Sequence, residues 1–484
     1  MRHQQITTRV VHGILAVAVC AAFATSASAQ KYPSATNRYM TRPLKICDQG
    51  IFYVGGAPKV TPHGSNSTSI ATYEQIIIGS MYVHFQIPMK SKTYPLIMVH
   101  GSGYTGSCVE GTAGGTEGWM DYTVRHGIPT YVVDQAGRAR SGFDKSVINE
   151  ADYYIDKDPV YAKALLPSLG GSTSTAWTSW FGHIVPTGTD ITTGQMVRHG
   201  APALQSDGSA APGQDPLCAT EPAHCAQLGR IPMEPEAPWA VDQDVASRQG
   251  KGAPAGLGTV KPDIAGHVNP AFPLNDRYLA LQAYKFNVPN TEATLPGSIC
   301  PSCVPTTLAA VNTWTPRDLA TLVEGLGGAV VATHSQSGQI GMNMVRVLRE
   351  DGKLNMLKGL IQIEGGSGTA ASGTTAADFR NVPYLAFKGD YSATSAAAVQ
   401  LVADIKALGG TADYIQLDQA GPWQGRYTGP YGPGYVGPFA GVSHMMMIES
   451  SNLQVMDVIL DWSSKNIPNP KAISCKADFD DKDD

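Results

Sequence analysis

The sequence predicts an α/β fold: a mostly parallel central sheet with helices on both faces and a large inserted cap. Three observations carry this expectation. Two continuous apolar runs, Pro95-Leu96-Ile97-Met98-Val99 and Thr130–Val133, have the composition of strands buried on both faces, as central parallel strands are. A helical stretch, Gly118–Arg125, lies between them and can serve as the crossover. After a long irregular segment, strand and helix alternation resumes at Ala329 and continues to Trp462. Strands on both sides of one interruption imply one core carrying an insertion, not three independent domains.

Taken in order, residues 1–29 read as a secretory leader. Arg2, His3 and Arg9 precede a short apolar run, Ile14–Phe23, and Ala27-Ser28-Ala29 offers a small-x-small cleavage site. The apolar run is shorter than the roughly 20 residues a membrane span needs. The mature chain is therefore expected to be secreted or periplasmic, without a membrane partner. Residues 30–150 form the first part of the core. Ile51–Gly56 is a short strand ending in a turn, and Met81–Pro88 alternates apolar and polar as a half-exposed strand does. Residues 151–316 change character, and 200–270 are rich in Pro, Ala and Gly without sustained periodicity, which marks an insertion or cap. Trp177-Thr178-Ser179-Trp180-Phe181 supplies it with an aromatic cluster, suited to an apolar pocket or to the core of the cap. Residues 317–475 return to the core, with helices at Arg317–Leu326 and Asn452–Trp462 and strands near 329–333, 358–363, 383–387 and 413–417. Residues 476–484 are an acidic tail.

Composition narrows the function. The chain is 43% hydrophobic and 15% charged, with a net charge of −5. No Lys/Arg run stands out, so nucleic acid is not an expected partner. Of eight cysteines, Cys20 falls in the leader, which leaves an odd number. Cys218 with Cys225 and Cys300 with Cys303 read as local disulfides in an oxidising compartment. Zinc bound by these four with His224 is the weaker alternative, because the 218–225 gap is long for a zinc knuckle. Cys47, Cys108 and Cys475 are scattered.

The most informative stretch is Gly328-Ala329-Val330-Val331-Ala332-Thr333-His334-Ser335-Gln336-Ser337-Gly338, where a β-branched run enters a turn and a helical pattern follows from Gln339 to Arg349. Strand, sharp turn and helix with small residues around a central serine match a nucleophile elbow, Thr333 and Ser337 standing where glycine is commoner. Ser335 is the candidate nucleophile. His100-Gly101-Ser102-Gly103 follows the 95–99 strand, and the backbone N–H groups of Ser102 and Gln336 are candidate oxyanion donors. His444, in Ser443-His444-Met445-Met446-Met447, is the only histidine after His334 and the candidate base. The acid lies between 336 and 443 in the order serine, acid, histidine. Glu364 and Asp390 both follow strands, and position alone favours Asp390. Asp134 and Ser141, after the strand ending at Val133, are read as ties that fix their loop.

These motifs, with Met81–Pro88, Tyr94–Gly101, Gly118–Ser141, His334–Gly338 and Ser443–Trp462, resemble the α/β-hydrolase fold family. Within it the resemblance is strongest to secreted bacterial esterases with a Ser-Glu-His triad. The resemblance spans the N- and C-terminal blocks and implies Ser335, Glu364 and His444 as the triad, with no metal or organic cofactor. Two departures limit it: adjacent cysteines of that esterase type are replaced here by Ser102-Gly103, and the 200–270 stretch is longer. The implied partner is a small-molecule carboxylic ester, with a homodimer open as the assembly. Peptidase, amidase or lactonase chemistry on the same triad, and a non-catalytic exported binding protein, are the rival readings.

Overall fold

The longer strands form where the sequence supplies alternating or continuous apolar residues, and eight strands join in one sheet. The computed structural model describes residues 43–65, 72–91, 93–112, 117–166, 314–365, 372–389, 392, 394–417, 442, 444–449, 451–470 and 473–475. The strands are β1 (Ile46–Thr61), β2 (Glu74–Pro88), β3 (Lys90–Ser91), β4 (Leu96–Val99), β5 (Thr130–Asp134), β6 (Ala329–His334), β7 (Leu357–Ile363), β8 (Tyr384–Lys388), β9 (Ala412–Gln416) and β10 (Ile473–Ser474). The large sheet has the order β1-β2-β5-β4-β6-β7-β8-β9. β1 with β2 and β2 with β5 are antiparallel, and every later pairing is parallel. β10 pairs separately with β3.

The helices are α1 (Ser107–Glu110), α2 (Trp119–Arg125), α3 (Lys145–Tyr154), α4 (Pro159–Leu165), α5 (Trp314–Gly325), α6 (Ser337–Glu350), α7 (Ala396–Ala407) and α8 (Asn452–Asn466). Successive strand residues point to opposite faces, and the core divides accordingly. Leu96, Met98, Val132, Ile361, Ile363 and Phe387 pack with Trp119, Met456 and Ile459 of α2 and α8. Ile97, Val99, Val133, Val331, Leu360 and Tyr384 pack with residues of α5, α6 and α7, among them Leu319, Met344 and Leu401. Helices thus cover both faces of the parallel strands, the arrangement in which both strand faces can be apolar. These elements belong to one compact unit, Pro43–Asp484.

One expectation is corrected. β1 does not end at Gly55-Gly56. It continues to Thr61 with both glycines at positive φ (72° and 91°), opposite Gly79 and Ser80 of β2. A Cβ at Gly55 would lie 1.8 Å from Asp318 Oδ1, so the glycine admits α5 to the ribbon and does not terminate it. Cys47 and Cys475, scattered in the sequence, meet in space. They form a disulfide with Cα atoms 6.1 Å apart, which ties β10 back to the start of β1. The expected leader, the local cysteine pairs, His224, Trp177–Phe181 and the acidic tail lie outside the described residues. Of the expected cap, α4 and the ends adjoining α3 and α5 are described. Among the described residues no helix is long and apolar enough to cross a membrane.

Candidate active site

Ser335 stands between β6 and α6, at the C-terminal edge of the parallel strands where open α/β sheets bind ligands. Its φ of 54° is left-handed, a conformation that costs a non-glycine residue about 1–2 kcal/mol. Neighbouring bonds hold it there. Ser335 N–H donates to the Ile363 carbonyl at 2.9 Å, and Gly338 N–H donates to the Ser335 carbonyl at 2.9 Å. Ser337, fully buried, accepts from His334 N–H at 2.7 Å, and its own hydroxyl faces the carbonyls of Val99 (3.0 Å) and His334 (2.8 Å). The turn therefore presents Ser335, which is partly exposed, and locks Ser337 into the scaffold.

Glu364 repeats the device one strand away. It follows β7 with φ 55°, and its N–H donates to the Phe387 carbonyl at 2.8 Å. Its buried carboxylate accepts from Gly389 N–H at 2.6 Å and Ser392 Oγ at 2.5 Å, with Lys388 Nζ at 3.6 Å. Burial alone would raise its pKa. The His444 hydrogen bond, the Lys388 charge and the Gly389 N–H outweigh that and hold the carboxyl at about 2. His444, from the segment before α8, completes a continuous chain: Nδ1 lies 3.2 Å from Glu364 Oε2 and Nε2 lies 2.8 Å from Ser335 Oγ. With Nδ1 protonated and facing an ionised carboxylate, Nε2 is free to accept the serine proton.

The His100–Gly103 turn lies against this chain. A Cβ on Gly101 would fall 2.9 Å from Ser335 Cβ and 2.8 Å from His334 Nδ1, so only glycine permits the approach. Burial lowers the His100 pKa to about 4, and the ring is neutral: Nδ1 donates to the Gly101 carbonyl at 2.8 Å while Nε2 accepts from Gln135 N–H at 3.1 Å. The fully buried Arg138 reaches the Gly101 carbonyl at 3.4 Å and Gln336 Oε1 at 3.3 Å. The carbonyl of the Gly101–Ser102 peptide is thereby held, which fixes the direction of the Ser102 N–H. Neither the Ser102 nor the Gln336 N–H donates to a protein acceptor among the described residues.

The loop after β5 has the structural role expected of it. The Asp134 carboxylate accepts from Gly106 N–H (2.6 Å), Arg140 N–H (3.0 Å) and Arg140 Nε (2.7 Å). Ser141 Oγ donates to the Asp134 carbonyl at 2.6 Å and accepts from Tyr82 N–H. Ser335, Glu364 and His444 are brought together, with Ser102 and Gln336 adjoining them. Asp390 lies outside the described residues. Reading the sequence missed Ser392, Lys388 and Arg138 as neighbours of the site. Lys388-Gly389 at a strand end was the available signal for the first two residues' segment, and Arg138 had none. Among the described residues no cluster of three or more His, Cys, Asp or Glu could hold a metal ion.

No protein-family model matches the chain. A stretch of 91 residues is 33% identical to a "Probable secreted lipase phiG" from Fungal sp. (strain ATCC 74256), covering 19% of this chain and 20% of that protein. The chain thus spans about a fifth of the length of that curated relative. Among solved structures, one described as a novel bacterial esterase is similar at TM-score 0.53 and 22% identity, covering 90% of this chain and 99% of its own. A structure of esterase Est22 with p-nitrophenol reaches TM-score 0.29 at 8% identity, over 84% and 80% of the two chains. The strand order, the antiparallel β1–β2 start, the helices on both faces and the match over nearly the whole of the bacterial structure establish the architecture. The chain has the α/β-hydrolase fold.

Proposed function

We propose that the chain is an exported serine hydrolase that cleaves carboxylic esters through an acyl-enzyme intermediate. The observation that carries this reading is the unbroken series Ser335 Oγ, His444 imidazole, Glu364 carboxylate at 2.8 and 3.2 Å. In the first half-reaction His444 Nε2 takes the Ser335 proton as Oγ bonds to the ester carbonyl carbon. Glu364, ionised, stabilises the imidazolium that results. The Ser102 and Gln336 N–H groups receive the developing oxyanion, each contributing about 3 kcal/mol to the transition state. His444 then protonates the departing alkoxide, and the alcohol leaves. In the second half-reaction His444 deprotonates water, which attacks the acyl-serine and releases the acid and a neutral Ser335.

Export is supported by the leader pattern of residues 1–29 and by the Cys47–Cys475 disulfide, which persists in oxidising compartments. The named activities of the lipase and esterase relatives agree with an ester as substrate. Residues 151–316 are proposed to be an insertion in this core. The testing experiment is a panel of aliphatic and aryl esters, with matched amides, assayed on the protein and on Ser335→Ala. Ester turnover that disappears in the variant supports the reading. Amide turnover that exceeds ester turnover points to a peptidase or amidase, and turnover unchanged by Ser335→Ala overturns the assignment.

A further inference from the structure

His334 ends β6 immediately before Ser335, and its side chain is buried at 3% exposure. It is rooted firmly: its N–H and carbonyl both bond Ser337 Oγ, at 2.7 and 2.8 Å. From this base the ring spans three separate segments. Nε2 lies 2.8 Å from the main-chain carbonyl of His444, 110 residues away. The ring packs on the His444 ring at 4.8 Å between centroids, inclined by 52°. Nδ1 faces Gly101, whose missing Cβ would come within 2.8 Å of it.

We propose that His334 is a positioning residue, which donates from Nε2 to the His444 carbonyl and so holds the base in register with the nucleophile turn. The inference rests on the reading of Ser335, His444 and Glu364 as the triad. The ring of His444 is tied at both nitrogens, to Glu364 and to Ser335. The His334 contact adds a tie to the backbone of the same residue, and in this way helps to set the direction of Nε2. The placement of a reacting group within a fraction of an ångström governs turnover much more than substrate affinity.

The chemistry of His334 fits a holding role. A carbonyl acceptor requires a proton on Nε2, and Nδ1 has no hydrogen-bond partner, so the ring is the neutral Nε2–H tautomer. Burial, and then the charge that His444 can carry, push its pKa down to about 3. It remains an uncharged donor while its neighbour becomes an imidazolium during turnover. A space-filling aromatic would bury more cheaply than an imidazole with one nitrogen unsatisfied. The retained donor is therefore what the position supplies.

The test compares His334→Phe, which keeps a ring and removes the donor, with His334→Gln, whose amide N–H can reach the same carbonyl. Steady-state kinetics on one ester, the rate of Ser335 modification by a fluorophosphonate, and melting temperature are measured for each. Phe is expected to lower kcat about a hundredfold with KM changed less than about threefold, and to slow Ser335 modification in parallel. Gln is expected to restore most of both rates. Should Phe fail to fold, His334→Met replaces it as the variant without a donor. A donor-less variant with near-normal kcat, or a Gln variant as slow as it at equal melting temperature, overturns the proposal. A wild-type protein that neither hydrolyses esters nor is modified at Ser335 instead overturns the triad reading itself.

Discussion

Ser335 and Ser337 carry the same hydroxyl two residues apart, and the backbone assigns them opposite fates. The left-handed φ at Ser335 turns its Oγ toward His444, whereas Ser337, one step into α6, is fully buried among the Val99 and His334 backbone groups. Ser335→Ala is expected to remove ester turnover, while Ser337→Ala keeps most of it and lowers stability by about 1–3 kcal/mol through its unsatisfied partners. Turnover and thermal melts on both variants check this pair. The distinction was legible in the sequence because register along a strand fixes where the turn falls. The acid was less legible. Glu364 and Asp390 both follow strands, and what favours Glu364 in the proposed reading is its carboxylate 3.2 Å from His444 Nδ1, with donors from Gly389 and Ser392, none of them visible as a spacing. Glu364→Gln is expected to cost about 10⁴-fold in turnover, with Asp390→Asn mild. Because folding lowers the Glu364 pKa from 4.5 to about 2, its ionised form contributes stability at neutral pH. That contribution is lost as pH falls from about 4.5 through 2, so the melting-temperature gap between wild type and Glu364→Gln should narrow over that interval.

At the scale of elements, β6, the turn and α6 followed directly from composition: six buried strand residues, then a helix whose apolar positions recur on one face. β1 did not. Gly55-Gly56 reads as a turn in one dimension, and only the docking of α5 against the β1–β2 ribbon explains why the strand continues. That docking buries Asp318 with Oδ2 unpaired, and desolvation raises its pKa from 3.8 to about 8. The folded state thus favours the protonated acid, and ionisation destabilises it progressively as pH rises from about 4 to 8. Asp318→Asn is expected to melt close to wild type near pH 4 and to become more stable by on the order of 2 kcal/mol at pH 9. Melts across that range decide it. A constant difference between the two proteins would show that Asp318 is paired in solution.

For the whole molecule, the strands on either side of the irregular stretch were legible in the sequence, because apolar periodicity is a local property, and they join one sheet. Long-range ties are not local, and the Cys47–Cys475 bridge across 428 positions was invisible to spacing. It closes nearly the whole chain into one loop. Cys475→Ser is expected to cost about 2–4 kcal/mol of stability, read by thermal melts, with turnover retained at low temperature because the bridge lies away from the triad. A fall in turnover without loss of stability would place the bridge within the function.

The proposed chemistry turns on one hydroxyl. The most direct measurement is mass-spectrometric mapping of the adduct formed by a fluorophosphonate on the full chain, alongside ester hydrolysis on the same sample. A single adduct on Ser335 is expected, its formation matching loss of hydrolysis, absent in Ser335→Ala and slowed in Glu364→Gln. An adduct on Ser337 or another residue, or full hydrolysis with Ser335 unmodified, would contradict it.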